Sequence, residues 1–322
     1  MLGYIEPIID YTLADKILHN QFKEFLKQRA SERITMTQNP TIPIDKSSPA
    51  PIPTLIIRPP KKWVPVDFRE LWEYRELLYS FVSRDVKIRY KQTALGFLWA
   101  IIQPLFMMVI FTLFFGGFAK IPSDGVPYPL FSFAALLPWT LFAEGLTRST
   151  TSMVSNAGIM TKVYFPRLVM PISGILSPLV DFFIAFVILL LMMAYYGFVP
   201  TIAIVLLPFF IILALATSLA IGLWLSALNI KYRDFQYTLP FIIQLGLYAS
   251  PIVYPSSMIP AQYRIFYGLN PMVGVIDGFR WALLGAKPPE AMMLVSIGVV
   301  VVLLVGGLFY FKRMEQYFAD VV

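Results

Sequence analysis

Two carboxylates stand where an apolar sequence gives them little water. Asp181 lies in SPLVDFFIAF and Glu144 in PWTLFAEGLTRS. An acid at membrane depth is costly, so it faces a partner, a neighbouring helix or a water-filled path. For Asp181 two readings stand: a contact on a translocation path, or a hydrogen bond joining helices through Ser173, Ser177 or another chain. Glu144 has Arg148 one helical turn later, a spacing that pairs charges, and Asp277 and Arg280 share a turn in the same way. The remaining chemistry is sparse. The absence of cysteine excludes disulfides, thiol chemistry and thiolate metal sites. The single histidine, His19, lies in a charged segment and reads as a solvated surface residue. No phosphate-binding loop of the GxxxxGKS or GxxxxGKT type occurs, and no HExxH, EF-hand or GxSxG pattern. The chain therefore reads as a conduit without its own engine: no enzyme, no metal site, no cofactor of its own.

The elements that position these charges are very apolar. Of 322 residues, 57% are hydrophobic and only 14% charged, against about 25% charged in ordinary soluble domains. The net charge is +7. In a membrane protein such a surplus faces the cytoplasm and meets anionic lipids. No basic and aromatic stripe lies on a soluble face, so nucleic acid is not an expected partner. The opening MLGYIEPIIDYTLADK lacks a basic start and an apolar run, so no signal peptide is expected.

The charges punctuate the rest into an all-α integral membrane protein with six transmembrane helices. About 20 apolar residues cross a bilayer core. Such runs cover 98–118, 125–143 with a mildly polar extension to 156, 171–194, 201–228, a stretch from 235 that prolines end near Tyr254, and 291–311. Tyr195-Tyr196-Gly197-Phe198-Val199-Pro200 divides the long uncharged run between the third and fourth. Arg84, Lys87, Arg89 and Lys91 precede the first span, Lys162 and Arg167 follow the second, Lys231 and Arg233 follow the fourth, and Lys312 and Arg313 follow the last. The positive-inside rule places all of these, and both termini, in the cytoplasm.

Three further pieces do not span. Residues 1–65 contain a charged helix and a proline-dense linker, NPTIPIDKSSPAPIPTLIIRPPKKWVP. Residues 66–92 form a basic amphipathic helix: Asp67 and Glu70 resemble a capping box, and Leu71, Trp72, Leu78, Phe81, Val82 and Val86 recur at helical spacing. Such a helix beside a span lies in the membrane interface. Residues 93–322 are the permease domain. Within it, 255–289 carries apolar pieces too short to span and reads as a helical hairpin re-entering from the outer side, between spans five and six.

Several blocks carry a resemblance: FVSRDVKIRYKQTALGFLWAIIQPLFMMVIFTLFFGG, YPLFSFAALLPWTLFAEGL, NIKYRDFQYTLPFIIQ, SPIVYP and LNPMVGVIDGFR. From about residue 63 onward the chain resembles type-2 ABC exporter permeases that move O-antigen, capsule or teichoic-acid polysaccharides. The resemblance implies a homodimer in the bacterial cytoplasmic (inner) membrane, bound to two ATP-binding subunits that carry the ATP and Mg. It implies that Arg84, Lys87, Arg89, Tyr90 and Lys91 rim the entrance for a lipid-linked polysaccharide, whose phosphate suits Arg and Lys. It makes 157–171 and 229–234 the segments that couple to the ATPase, with Lys162, Tyr164, Phe165, Arg167, Lys231, Tyr232, Arg233 and Asp234. Aromatic rings suit sugar faces, and Trp99, Phe106, Phe115, Tyr248 and Tyr254, with Asp181, are the path candidates. Arg264, Asp277 and Arg280 fall in the external gate hairpin. Alternatives are a related exporter of lipids or drugs, a membrane-bound glycan-transfer enzyme, which would need clustered acids or metal ligands, and a passive channel.

Overall fold

The computed structural model describes residues 68–91, 98–160, 162–288 and 291–321. The chain divides into two compact units, 1–60 and 61–322. The first unit, the charged N-terminal helix, the proline-dense linker and the Asp67 cap lie outside the described residues. Among the described residues every regular element is helical. The amphipathic segment forms α1 (Phe68–Glu73) and α2 (Arg75–Lys91), divided at Tyr74. Next come α3 (Leu98–Phe111), extended by a π-helical turn over Thr112–Phe118, and α4 (Tyr128–Ser155). Three helices follow, α5 (Ala157–Met160), α6 (Val169–Leu176) and α7 (Leu179–Tyr195). A 3-10 turn at Ile202–Leu206 leads into α8 (Leu207–Lys231), and then α9 (Phe235–Ala249). After 3-10 turns at Ser256–Met258 and Ala261–Tyr263 come α10 (Arg264–Tyr267), α11 (Pro271–Leu284) and α12 (Ala291–Val321).

Among the described residues, five helical stretches are long and apolar enough to cross a membrane: Leu98–Phe118, Tyr128–Ser155, Val169–Tyr195, Ile202–Lys231 and Ala291–Glu315. The remaining expected span, α9, has 15 residues, about 22 Å at 1.5 Å per residue. It stops at Ala249 rather than near Tyr254, because Ser250 is extended (φ −99°, ψ 155°) and precedes Pro251. The residue before proline disfavours helix.

The centre of the bundle is α4. It packs against α3, α6, α7, α8, α9 and α11. Small residues allow the closest approaches, as is usual where lipid supplies no hydrophobic drive between helices. A Cβ at Gly174 on α6 would lie 2.9 Å from the backbone of Arg148 and Ser149, and one at Gly222 on α8 would lie 2.5 Å from Ser149 Oγ. Asn229 donates from Nδ2 to the Thr150 carbonyl at 3.2 Å, and Ser218 donates to the Phe142 carbonyl at 3.2 Å.

Sequence explains the ends of α11. Asn270 caps it by accepting the Met272 N–H at 3.0 Å, Pro271 opens the first turn, and Gly285 closes it at φ +66°. Eleven of its 14 residues are buried. Phe279 packs against Phe182 and Phe210, with ring centroids 6.1 and 6.5 Å away. By contrast, α3 and α9 present apolar side chains outward, among them Trp99, Phe106, Phe114, Phe241, Leu245 and Tyr248.

Because Gly174 meets backbone rather than a movable side chain, Gly174→Ala must push α6 away from α4. Thermal unfolding in detergent should show a loss of about 1–3 kcal/mol. An unchanged melting temperature would contradict the close approach.

Candidate functional site

The charged centre of the molecule is built from α2 upward. Leu77 and Phe81 are its buried apolar positions. Phe81 packs on Phe165 with centroids 6.0 Å apart, which holds the helix against the segment leading into α6. Arg84 lies over the Phe81 ring at 5.0 Å and bonds Asp85 at 2.9 and 3.1 Å. Two turns from Phe81, Arg89 and Tyr90 reach the bundle. Arg89 forms an ion pair with one Asp181 oxygen, and the Tyr90 hydroxyl donates to the other. Arg89 Nη1 also lies 3.5 Å from Glu144 Oε2, and Arg148 Nε lies 3.4 Å from the same oxygen. Burial, and then the bond to Asp181, push the Tyr90 phenol up, so it remains a donor.

Three elements, α2, α4 and α7, thus meet in a network of two guanidinia, two carboxylates and a phenol. The partners of Asp181 are Arg89 and Tyr90. Ser173 and Ser177, the serines considered from sequence, donate instead to the carbonyls of Met170 and Gly174 on their own helical segment. The expected Glu144–Arg148 pair is present. Lys87 and Lys91 are exposed beside the network.

A second cluster lies after α5. Lys162, Tyr164, Phe165 and Arg167, with Met160 and Val163, line a cavity of about 250 Å³. Phe165 is the buried anchor, Tyr164 is 83% exposed, and Arg167 donates to the Glu315 carbonyl near the end of α12. The Tyr164 phenol is pushed up by the charge of Glu70 and then by burial. Lys231, Tyr232, Arg233 and Asp234 make an exposed turn between α8 and α9, with Lys231 over the Tyr232 ring at 5.0 Å.

The aromatic candidates fall into two groups. Trp99 and Phe106 lie exposed on α3, and Phe115 packs edge-on against Phe111 at 5.6 Å. Tyr254 donates to the Tyr248 carbonyl at 3.2 Å and accepts from the Tyr267 hydroxyl at 3.1 Å.

Arg264, Asp277 and Arg280 come together around a cavity of about 100 Å³, which Asp124, Ser257 and Lys287 also line. Arg280 is 3% exposed. Its Nε and Nη2 each donate to the Phe131 carbonyl at 3.3 Å, Nη1 to the Pro251 carbonyl at 2.5 Å, and Nη2 to the Ile252 carbonyl at 2.9 Å. The guanidinium carbon lies 3.5 Å from the Phe131 ring centroid. Burial pushes this guanidinium down to about 10, against the supporting charge of Asp277, so it stays charged at neutral pH. Arg264 donates from Nε to the Ile259 carbonyl at 3.0 Å. Ser257 donates to both Asp124 oxygens, at 3.0 and 3.1 Å, and Asp124 itself adopts φ +52°.

Sequence reasoning missed two positioning residues, Asn270 and Tyr128, and one contact. Asn270 donates to Ser250 Oγ at 2.9 Å and so joins the end of α9 to the start of α11. An asparagine directly before Pro271 was a readable cap signal. Tyr128 donates to the Val253 carbonyl at 2.7 Å, and Glu144 meets Arg89. Neither the Tyr128 bond nor the contact of Glu144 with Arg89 had a local signal. Among the described residues no group of His, Cys, Asp and Glu could hold a metal ion.

The described residues thus form a helical bundle with five helices long and apolar enough to cross a membrane, a charged joint between α2, α4 and α7, and the buried helix α11 held by Arg280. The ABC-2 type transporter family matches residues 76–284, and the chain belongs to that family of multi-pass membrane proteins. It is 32% identical over 256 residues to the O-antigen export system permease protein RfbA of Myxococcus xanthus, covering 78% of this chain and 97% of that protein. An O-antigen export system permease protein RfbA of Klebsiella pneumoniae is 27% identical over 248 residues, covering 77% and 95%. The polysialic acid transport protein KpsM of Escherichia coli is 26% identical over 241 residues, covering 72% and 91%.

Replacing Arg280 by Met keeps volume but strands the carbonyls of Phe131, Pro251 and Ile252. The loss of stability should be about 3 kcal/mol or more by thermal unfolding in detergent. Asp181→Ala should cost about 1–3 kcal/mol by the same measurement, since it leaves Arg89 and Tyr90 without their shared acceptor. Wild-type stability in either variant would contradict the assigned bonds.

Proposed function

We propose that this chain is the permease subunit of an ATP-driven exporter that moves a lipid-linked polysaccharide across the bacterial inner membrane. The observation that carries the proposal is the likeness to O-antigen export permeases over nearly their whole length, 97% of one and 95% of another. The related polysialic acid transport protein supports polysaccharide as the substrate class. ATP and Mg belong to two ATP-binding partner subunits, and a second copy of this chain completes the path.

In this reading α9 is the fifth of six spans, and both termini are cytoplasmic. Support comes from the basic residues at the ends of α2 and α8 and in the loop before α6. The piece 255–289 is a re-entrant hairpin. Its support is α11, a 14-residue helix too short to span yet buried against α4, α8 and α12. Lys87 and Lys91, with the Arg89 network behind them, attract the phosphate of the lipid carrier to the inner surface. ATP binding by the partners moves the segments around Tyr164 and Tyr232. The outward faces of α3 and α9, with Trp99, Phe106 and Tyr248, meet the second copy and open a path lined by rings. The glycan leaves past the hairpin that Arg280 holds.

Deleting the gene in its own host should abolish surface glycan and leave lipid-linked glycan at the cytoplasmic side, detected by mass spectrometry of extracted lipids. Normal surface glycan in the deletion strain would overturn the proposal. The double variant Lys87→Gln/Lys91→Gln should lower export several-fold while the complex still purifies intact, because both side chains are exposed. Unchanged glycan export by this variant would remove the entrance role.

A further inference from the structure

The network at α2, α4 and α7 has two halves of unequal strength. Asp181 is held closely, by Arg89 on one oxygen and Tyr90 on the other, and its side chain is only 16% exposed. Glu144 is held loosely. Its Oε2 sits between two guanidinia at 3.5 Å from Arg89 and 3.4 Å from Arg148, and its side chain is 40% exposed. Charge-assisted hydrogen bonds are ordinarily about 2.7–2.9 Å long. One carboxylate oxygen between two guanidinia, at long range and open to solvent, occupies the place that a phosphate oxygen takes between paired arginines.

We propose that Arg89 and Arg148 form a phosphate site, and that the Glu144 carboxylate fills it until a phosphate group displaces it. Asp181 and Tyr90 are positioning residues that keep the Arg89 guanidinium aimed at the site when Glu144 leaves. The Arg89 and Arg148 side chains are 30% and 28% exposed, so a headgroup can reach them without opening the core. With Glu144 in place, its carboxylate offsets charge on both guanidinia. With Glu144 turned away, the two guanidinia lose the carboxylate they share and gain attraction for an anion. Arg148 is the element that distinguishes this site from the exposed lysines of α2. That the phosphate belongs to a lipid-linked glycan rests on the proposed function; the phosphate site rests on the geometry.

The test is binding to the full chain in nanodiscs, without transport. Three probes are used: inorganic pyrophosphate, phosphatidylglycerol, and undecaprenyl pyrophosphate in a phosphatidylcholine bilayer. Wild type should bind at least one, and Arg148→Gln should weaken that binding about ten-fold or more. Glu144→Gln should tighten it several-fold, because the amide no longer competes for the guanidinia. Binding of inorganic pyrophosphate assigns recognition to the phosphate alone. Binding of only the lipid probes assigns it to a headgroup at the membrane surface. The proposal is overturned if no probe binds, if Arg148→Gln binds like wild type, or if Glu144→Gln binds equally or more weakly. Thermal unfolding in detergent accompanies each variant, and Arg148→Lys, which keeps the charge, gives a second reading should Arg148→Gln fail to fold. Since nothing is exported in this assay, its failure leaves the gene-deletion result standing, and the reverse.

Discussion

The ion pair between Arg89 and Asp181 fixes where the amphipathic helix stands on the bundle. Apolar contact alone gives α2 little purchase, since only Leu77 and Phe81 are buried along its length. Asp181 has its own need, because a carboxylate in an apolar helix is costly until a cation and a donor meet it. Arg89 and Tyr90 satisfy that need and, in doing so, bind α2 to α7 and through Glu144 to α4. The same side chains therefore settle both problems. In the proposed function, a helix placed by charge is also addressed by charge, that of an anionic carrier lipid.

The other end of the bundle follows the same logic with the sign reversed. Backbone that is not helical at membrane depth needs protein partners for its carbonyls. The turn after α9 exposes the carbonyls of Pro251 and Ile252, and Arg280 from α11 donates to both and to Phe131 on α4. Asn270 and Tyr128 complete the fastening. A buried guanidinium with its donors spent on carbonyls is held by hydrogen bonds as much as by opposite charge. α2 and α11 are thus each fastened by one arginine.

Much of the helical plan was legible in the sequence because charge marks its borders. The span 98–118 has the same limits in both, and the spans beginning at 201 and 291 differ by a residue or less at their starts. The end of α9 was misplaced, since the turn depends on Ser250 adopting an extended backbone rather than on the prolines alone. The candidate site was legible as residue types and not as partners. Arg89 and Asp181 could each be singled out, but Tyr90 and Asp181 are 91 residues apart and Arg280 and Phe131 are 149 apart. Local spacing suggests near neighbours: serines one or two turns away for Asp181, Asp277 for Arg280. Tertiary packing supplied Arg89 and Tyr90 to Asp181, and set three backbone carbonyls around Arg280 beside the charge of Asp277. Glu144 with Arg148 succeeded because the pair lies within one helix.

Taken as an exporter, the chain supplies a surface helix, a bundle and a hairpin, and leaves the energy to another protein. The most direct measurement joins the two. The permease is purified with its ATP-binding partner and reconstituted into vesicles carrying lipid-linked glycan on the side that the partner faces. On adding ATP and Mg, glycan should become protected inside the vesicles from a glycosidase added outside, and no protection should develop with a non-hydrolysable analogue. Equal protection with and without ATP, or none with ATP while the complex hydrolyses it, would contradict the account.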